Sequence, residues 1–230
     1  PAPVSGSGGM FTEEMARETL QGIFGYEDFR PGQFWAIQRA LAGEHSLLML
    51  PTGAGKSLCY QMAAACAPAG SLVVVVSPLI SLMVDQLARL PPQVPGACLA
   101  GNLSMRELAR IIRDLRSGRL RVLFVSPEKL CSPSFRRLVG EDVAGREGAA
   151  FPPVSLVCID EAHCISQWSH NFRPAFLRLG RNIENLLKPR ALLAMTATAD
   201  PDVMSDICAR FRIPPTEGVL WGAGSVTGSS

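Results

Sequence analysis

Two short stretches carry residue types that together suit the chemistry of a nucleoside triphosphate. Pro51-Thr52-Gly53-Ala54-Gly55-Lys56-Ser57 sets two glycines, a lysine and a hydroxyl directly after an apolar run. Glycines let backbone N–H groups turn onto phosphate oxygens, an ammonium neutralises them, and a serine hydroxyl suits Mg²⁺. About a hundred residues later, Val157-Cys158-Ile159-Asp160-Glu161-Ala162-His163 ends a second apolar run in adjacent carboxylates. In such a pair one carboxylate can face a metal ion and the other can orient an attacking water. Either stretch alone is a weak signal. The two in this order, each behind an apolar run, are the arrangement of a fold that binds and splits ATP.

Elements that hold such residues in place follow from the hydrophobic pattern. Apolar, β-branched runs at Ser46–Leu50, Leu72–Val76, Ala97–Ala100, Val122–Val125, Leu156–Ile159 and Leu192–Met195 read as strands buried on both faces. Helical patterns lie between them, near 12–24, 31–42, 55–66, 79–90, 104–117, 128–139, 173–188 and 201–210. The alternation predicts an α/β fold: a doubly wound, mostly parallel sheet with helices on both faces. In such sheets ligands collect beyond the carboxyl ends of the strands. Those ends carry Lys56-Ser57, Ser77-Pro78, Ser126-Pro127, Asp160-Glu161 and Thr196-Ala197-Thr198. Each Ser-Pro pair reads as a capping hydroxyl followed by a proline at the first helical position, with free N–H groups behind for phosphate oxygens.

Composition limits the alternatives. The chain has 230 residues, 47% hydrophobic and 18% charged, enough for one α/β domain with a full core. No apolar run reaches the length of a membrane helix. Seven scattered cysteines form no Cys-x-x-Cys pair, which favours a reducing compartment. Cys158, His163, Cys164 and His170 fit no structural zinc spacing. A net charge of +2 does not by itself argue for nucleic acid. Arg106, Arg110 and Arg113 share one helical face, with Arg116, Arg119 and Arg121 beyond; the reading is a solvated surface, with a DNA-facing patch as the alternative. Residues 1–10 read as a flexible segment or a cut end of a longer protein, 11–213 as the folded domain and 214–230 as a Gly- and Ser-rich tail that is disordered or truncated.

With these motifs in order from about Phe24 to Phe211, the chain resembles the first RecA-like, P-loop NTPase lobe of a RecQ-family DNA helicase. Phe24-Gly25-Tyr26-Glu27-Asp28-Phe29-Arg30-Pro31-Gly32-Gln33 is similar to that family's adenine-recognition motif. The resemblance implies that Gln33 reads the adenine edge while Tyr26 and Arg30 sandwich its ring. Leu50–Ser57 departs from G-x-x-x-x-G-K-[ST] in having Leu50 for the first glycine. By the resemblance Thr52, Gly53, Ala54 and Gly55 form the backbone cradle, Lys56 contacts the β- and γ-phosphates, and Ser57 binds Mg²⁺. Asp160-Glu161-Ala162-His163 matches the DEAH box, with Asp160 on the metal, Glu161 as general base and His163 beside them. Ser77-Pro78 and Ser126-Pro127 look like the DNA-backbone motifs, and Thr196-Ala197-Thr198 resembles the segment that couples ATP state to DNA.

The most discriminating segment is Cys164-Ile165-Ser166-Gln167-Trp168-Ser169-His170-Asn171-Phe172-Arg173-Pro174, similar to the RecQ aromatic-rich loop. Trp168 and Phe172 offer stacking faces for unpaired bases, and Arg173 a phosphate or cation–π contact. Its Ser-His-Asn form resembles the Rothmund–Thomson branch of the family. The resemblance implies ATP and Mg²⁺ as cofactors, single-stranded and forked DNA as partners, no membrane, and 3′-to-5′ unwinding in replication, repair and recombination. Localisation follows as nuclear in a eukaryote and cytoplasmic otherwise. It also implies a second RecA-like lobe in the full-length protein, so this lobe alone is expected to bind ATP weakly and not to unwind. The alternative is a nucleotide-dependent DNA-binding module without productive catalysis.

Overall fold

Seven short apolar strands assemble into one all-parallel sheet, ordered β3-β4-β2-β5-β6-β1-β7, in a computed structural model that describes residues 11–99, 101, 103–140, 151–166 and 178–221. The strands are β1 (Ser46–Met49), β2 (Leu72–Val76), β3 (Gly96–Leu99), β4 (Val122–Val125), β5 (Val154–Ile159), β6 (Ala191–Thr196) and β7 (Val219–Trp221). Parallel pairing demands crossovers, and nine α-helices supply them among the described residues. These are α1 (Glu13–Thr19), α2 (Gln33–Ala42), α3 (Ser57–Cys66), α4 (Ile80–Ala88), α5 (Met105–Arg116), α6 (Pro127–Leu130), α7 (Pro133–Val139), α8 (Leu179–Asn182) and α9 (Pro201–Phe211).

Each strand faces two cores, which is why the runs show no alternation. Leu47, Met49, Val74, Val76, Val157 and Ile159 meet α5, α7, α8 and α9 on one face. Leu48, Val73, Val75, Phe124 and Cys158 meet α1, α2 and α3 on the other. A fully buried Val or Leu contributes roughly 1.5–3 kcal/mol, so the cost of any polar atom on these strands is high except at their carboxyl ends. The doubly wound α/β architecture expected from the pattern is the one observed.

Several elements differ from their sequence reading. The helix expected near 128–139 is two, α6 and α7, because Pro133 takes the first position of α7 and Ser132 caps it, accepting from Phe135 N at 3.3 Å. The helix expected over 12–24 loosens after Thr19 into a π-turn, Leu20–Phe24, closed by Gly25 in the left-handed region. A seventh strand, β7, lies beyond Pro214-Pro215, where structure was expected to be lost. It pairs with β1, the strand before the glycine loop, in the register Leu47↔Val219 to Met49↔Trp221. Most of the aromatic-rich loop, with Gln167, Trp168, Phe172 and Arg173, lies outside the described residues, as do 1–10 and 222–230. No described helix is long and apolar enough to cross a membrane.

Candidate nucleotide site

The carboxyl ends of β1, β6 and β5 adjoin in that order, so topology alone brings three of the predicted motifs to one rim. Thr52–Lys56 form the loop from β1 into α3, with Gly53 and Gly55 at φ 81° and 82°. An L side chain resists that conformation, and a Cβ at Gly55 would also stand 2.6 Å from Gln33 Nε2. Lys56 Nζ is turned inward, donating to the carbonyls of Leu50 (2.8 Å) and Pro51 (3.4 Å). Ser57 opens α3.

Gln33 and Arg30 hold the same loop from the side. Gln33 is buried at the start of α2; its Oε1 accepts from Arg30 N (2.8 Å) and its Nε2 donates to the carbonyls of Gly55 (2.9 Å) and Ala54 (3.3 Å). The Arg30 guanidinium donates to Gly53 O at 2.6 Å, while Tyr26 stands 56% exposed nearby in sequence. The sequence singled out these residues as an adenine clamp. The structure adds that three consecutive carbonyls of the glycine loop are their present partners.

Asp160, at the end of β5, is 4% exposed, and its backbone N donates to Val76 O on β2. Burial, and then the neighbouring Glu161 charge, push its carboxyl up to about 6, although Glu161 N (3.1 Å) and Lys56 favour the ionised form. Glu161 takes a left-handed backbone, φ 51°, as it caps the 3₁₀ turn Ala162–Ile165. That turn carries His163 back toward β6. Its Nδ1 lies 3.0 Å from Thr196 Oγ1 and 3.3 Å from Glu161 Oε2. Because the Thr196 hydroxyl donates to Thr198 O (2.9 Å), its lone pair is left to accept from His163 Nδ1–H. His163 is pushed up to about 9, first by the Cys164 side chain and then by Glu161, which favours the protonated ring. In return, the His163 contact holds the Glu161 carboxyl below the usual range. Catalytic and coupling residues expected from sequence are therefore one hydrogen-bonded row: Glu161, His163, Thr196, Thr198.

The donor set suits a hard divalent cation. Asp160 is a buried carboxylate whose ionisation is opposed by burial and by the Glu161 charge, so a bound cation would favour it. The Ser77 hydroxyl, at the end of the adjacent β2, is buried without a hydrogen-bond partner. That last finding corrects an expectation. Ser77 does not cap a helix: Pro78 and Leu79 stay outside α4, and its N-cap, Leu79, is extended and offers no side-chain bond. Ser126 does cap α6, accepting from Lys129 N at 3.2 Å, with Pro127 at the first helical position.

Arg121 also departs from its reading as part of an exposed basic run. Its guanidinium is half-buried under the far end of α3 and donates to the carbonyls of Ala64 (2.6 Å), Ala67 (2.6 Å) and Pro68 (2.7 Å). Arg106, Arg110, Arg113 and Arg116 on α5 are exposed.

The comparisons with known proteins agree with this geometry. Residues 30–207 match the DEAD/DEAH box helicase family. The chain is 42% identical over 206 residues to ATP-dependent DNA helicase Q-like 5 of Arabidopsis thaliana, covering 89% of this chain and 21% of that protein. It is 41% identical over 213 residues to human ATP-dependent DNA helicase Q4 (90% and 17% covered) and 40% identical over 202 residues to ATP-dependent DNA helicase RecQ of Pasteurella multocida (87% and 30% covered). The chain thus spans a third or less of each of these relatives. Among solved structures, the DUF1998 helicase MrfA bound to DNA and AMPPNP aligns over 96% of this chain and 30% of its own, with TM-score 0.65 at 16% identity. The Pyrococcus furiosus Hef helicase domain aligns over 89% and 38%, with TM-score 0.57 at 20% identity. Both likenesses concern the fold.

Proposed function

Since the chain belongs to the DEAD/DEAH box helicases and its similar relatives are RecQ-type enzymes, we propose that it is the ATP-binding and ATP-hydrolysing lobe of a 3′-to-5′ DNA helicase, acting on single-stranded and forked DNA in replication, repair and recombination. The observation that carries this reading is the row Glu161–His163–Thr196–Thr198, at the same rim as the glycine loop.

In this reading the backbone of Thr52–Gly55 cradles the phosphates, and Lys56 leaves the Leu50 and Pro51 carbonyls for the β- and γ-phosphate oxygens. Gln33 reads the adenine edge, with Tyr26 and Arg30 on its faces, exchanging part of its bonds to the loop for bonds to the base. Ser57 and Asp160 would hold Mg²⁺, which when bound neutralises charge on the phosphate oxygens. Glu161, kept ionised by His163, takes the proton of the attacking water. His163 passes the state of that carboxylate to Thr196 and Thr198. Ser77, Pro78, Ser126 and Pro127 track the DNA backbone, Trp168 and Phe172 stack on unpaired bases, Arg173 makes a phosphate or cation–π contact, and Gln167 serves DNA binding or coupling in the same loop. In a eukaryotic cell the working compartment is the nucleus.

Steady-state ATP hydrolysis, with and without single-stranded DNA, tests the reading beside Glu161→Gln. We expect slow turnover by this lobe, reduced about a hundredfold or more by the substitution, while nucleotide binding survives. Turnover indifferent to Glu161→Gln would instead leave a nucleotide-dependent DNA-binding module.

A further inference from the structure

Helix α5 carries Arg106, Arg110, Arg113 and Arg116 at i, i+4, i+7 and i+10, a single stripe on the side opposite its buried Ile111 and Leu115. All four arginines are exposed, and none makes an ion pair or a side-chain hydrogen bond among the described residues. The acids of the helix are engaged elsewhere. Glu107 closes the capping box, accepting from Ser104 N at 2.8 Å, and Asp114 faces Arg119 at 3.7 Å. On this one helix arginines outnumber acids by two, as large an excess as the net charge of the whole chain.

As a purely structural device the stripe is unfavourable. Guanidiniums three and four residues apart are neighbours on a helix surface and repel, without the alternation of sign that a solvated helix uses. Arg106 also stands in the first turn, where the macrodipole disfavours a cation. Because Ile111 and Leu115 are already in the core, the helix has no apolar face left for a membrane. What the stripe does match is a line of negative charge. At about 1.5 Å per residue it is about 15 Å long, enough to lie along several successive phosphates of one strand.

Topology supplies the strand's direction. β3 is the edge of the sheet, β4 is its neighbour, and α5 is the crossover between them. The first turn of α5, with Arg106, therefore lies toward the carboxyl ends of the strands, where Ser126 stands, and its last turn toward the opposite ends. We infer that the arginine stripe of α5 is a track for the phosphate backbone of single-stranded DNA, which leads the strand off the rim past the β3 edge. The inference rests on the reading of the chain as a DNA helicase lobe, and adds to it a surface apart from Ser77-Pro78 and Ser126-Pro127. Contact through guanidiniums and phosphates alone carries no base preference and weakens steeply with salt.

The test is the anisotropy of a fluorescein-labelled oligothymidine titrated with the chain over a series of salt concentrations, with thermal melts of every variant. Each phosphate neutralised on a single strand contributes about 0.7 to the slope of log K against log salt. Replacing all four arginines (Arg106→Gln, Arg110→Gln, Arg113→Gln and Arg116→Gln together) should flatten that slope by about 2–3 and lower affinity about tenfold or more at low salt. The melting temperature should not fall, since repulsion is removed; a fall with the slope unchanged assigns the arginines a structural role and refutes the track. Arg110→Gln with Arg113→Gln should flatten the slope by about 1.4, whereas Arg137→Gln with Arg181→Gln, the same charge change at exposed positions of α7 and α8, should leave it unmoved. Equal flattening in the two pairs refutes the track in favour of net charge. Parental slope and affinity in the fourfold variant overturn the track and leave the DNA reading intact, while no DNA binding by the chain itself overturns both. Phosphatidylserine vesicles bound through these arginines, with DNA binding untouched, would make the face a membrane contact instead.

Discussion

Gly55 and Gln33 are two residues whose roles interlock. Gly55 needs a left-handed backbone at φ 82°, and the atom nearest to an added Cβ is the Gln33 amide nitrogen at 2.6 Å. A side-chain end can usually swing aside, but this one is buried and bonded to three backbone groups. Gly55→Ala therefore pays twice, once for the dihedral, about 1–3 kcal/mol, and once for displacing the amide. We expect Gly55→Ala to lower the melting temperature, and to lower it less in a Gln33→Ala background, since that removes the obstruction and leaves the dihedral strain. Equal decrements in the two backgrounds would show that the amide yields freely. The glycine itself was legible from its place before Lys56-Ser57. The partner that confines it was not, because Gln33 and Gly55 are joined only by the packing of α2 on α3.

Among elements, α3 is fixed at both ends: the glycine loop at its start and Arg121, from the entry of β4, at its finish. Last-turn carbonyls have no intrahelical donor, and a half-buried guanidinium serves that of Ala64 together with those of Ala67, Pro68 and Ser71 just beyond the helix. Arg121→Leu should cost about 1–3 kcal/mol, read as a lower midpoint in urea with an unchanged slope. An unchanged midpoint would mean that water replaces the guanidinium at no cost. Nothing in the spacing of Arg119 and Arg121 distinguishes this buried role from the exposed arginines of α5, since the carbonyls it meets lie some fifty residues earlier. The strands were legible because runs such as Leu72–Val76 need no partner to be recognised as buried. Val219–Trp221 escaped notice for the opposite reason. Three residues after a Pro-Pro pair carry no period, and only the open edge of β1 makes them a strand. Ser77-Pro78 shows the same limit: its likeness to Ser126-Pro127 is one of letters, while α4 starts later and leaves the Ser77 hydroxyl unsatisfied.

For the molecule as a whole, β7 closes the edge next to the glycine loop. Leu47 N donates to Gly218 O at 2.7 Å, and the register runs to Met49↔Trp221. Without β7 the strand that leads into the loop would present unpaired N–H and C=O groups, a template for another chain. Ending the chain after Pro215 should lower the melting temperature and shift it toward oligomers on size-exclusion chromatography. A monomer of unchanged melting temperature would mean that the edge of β1 needs no cover.

Strand order has one more consequence. β1 and β5 are not neighbours; β6, ending in Thr196, lies between them. The glycine loop and the DEAH carboxylates are thus set apart by two inter-strand spacings, roughly 10 Å, which backbone hydrogen bonds fix and no side chain can alter. The sheet acts as a calliper whose jaws are set by peptide geometry. Substitutions at the rim change what lies between the jaws, while their opening is the same for every sequence that keeps this order, with Thr196 of the middle strand between them.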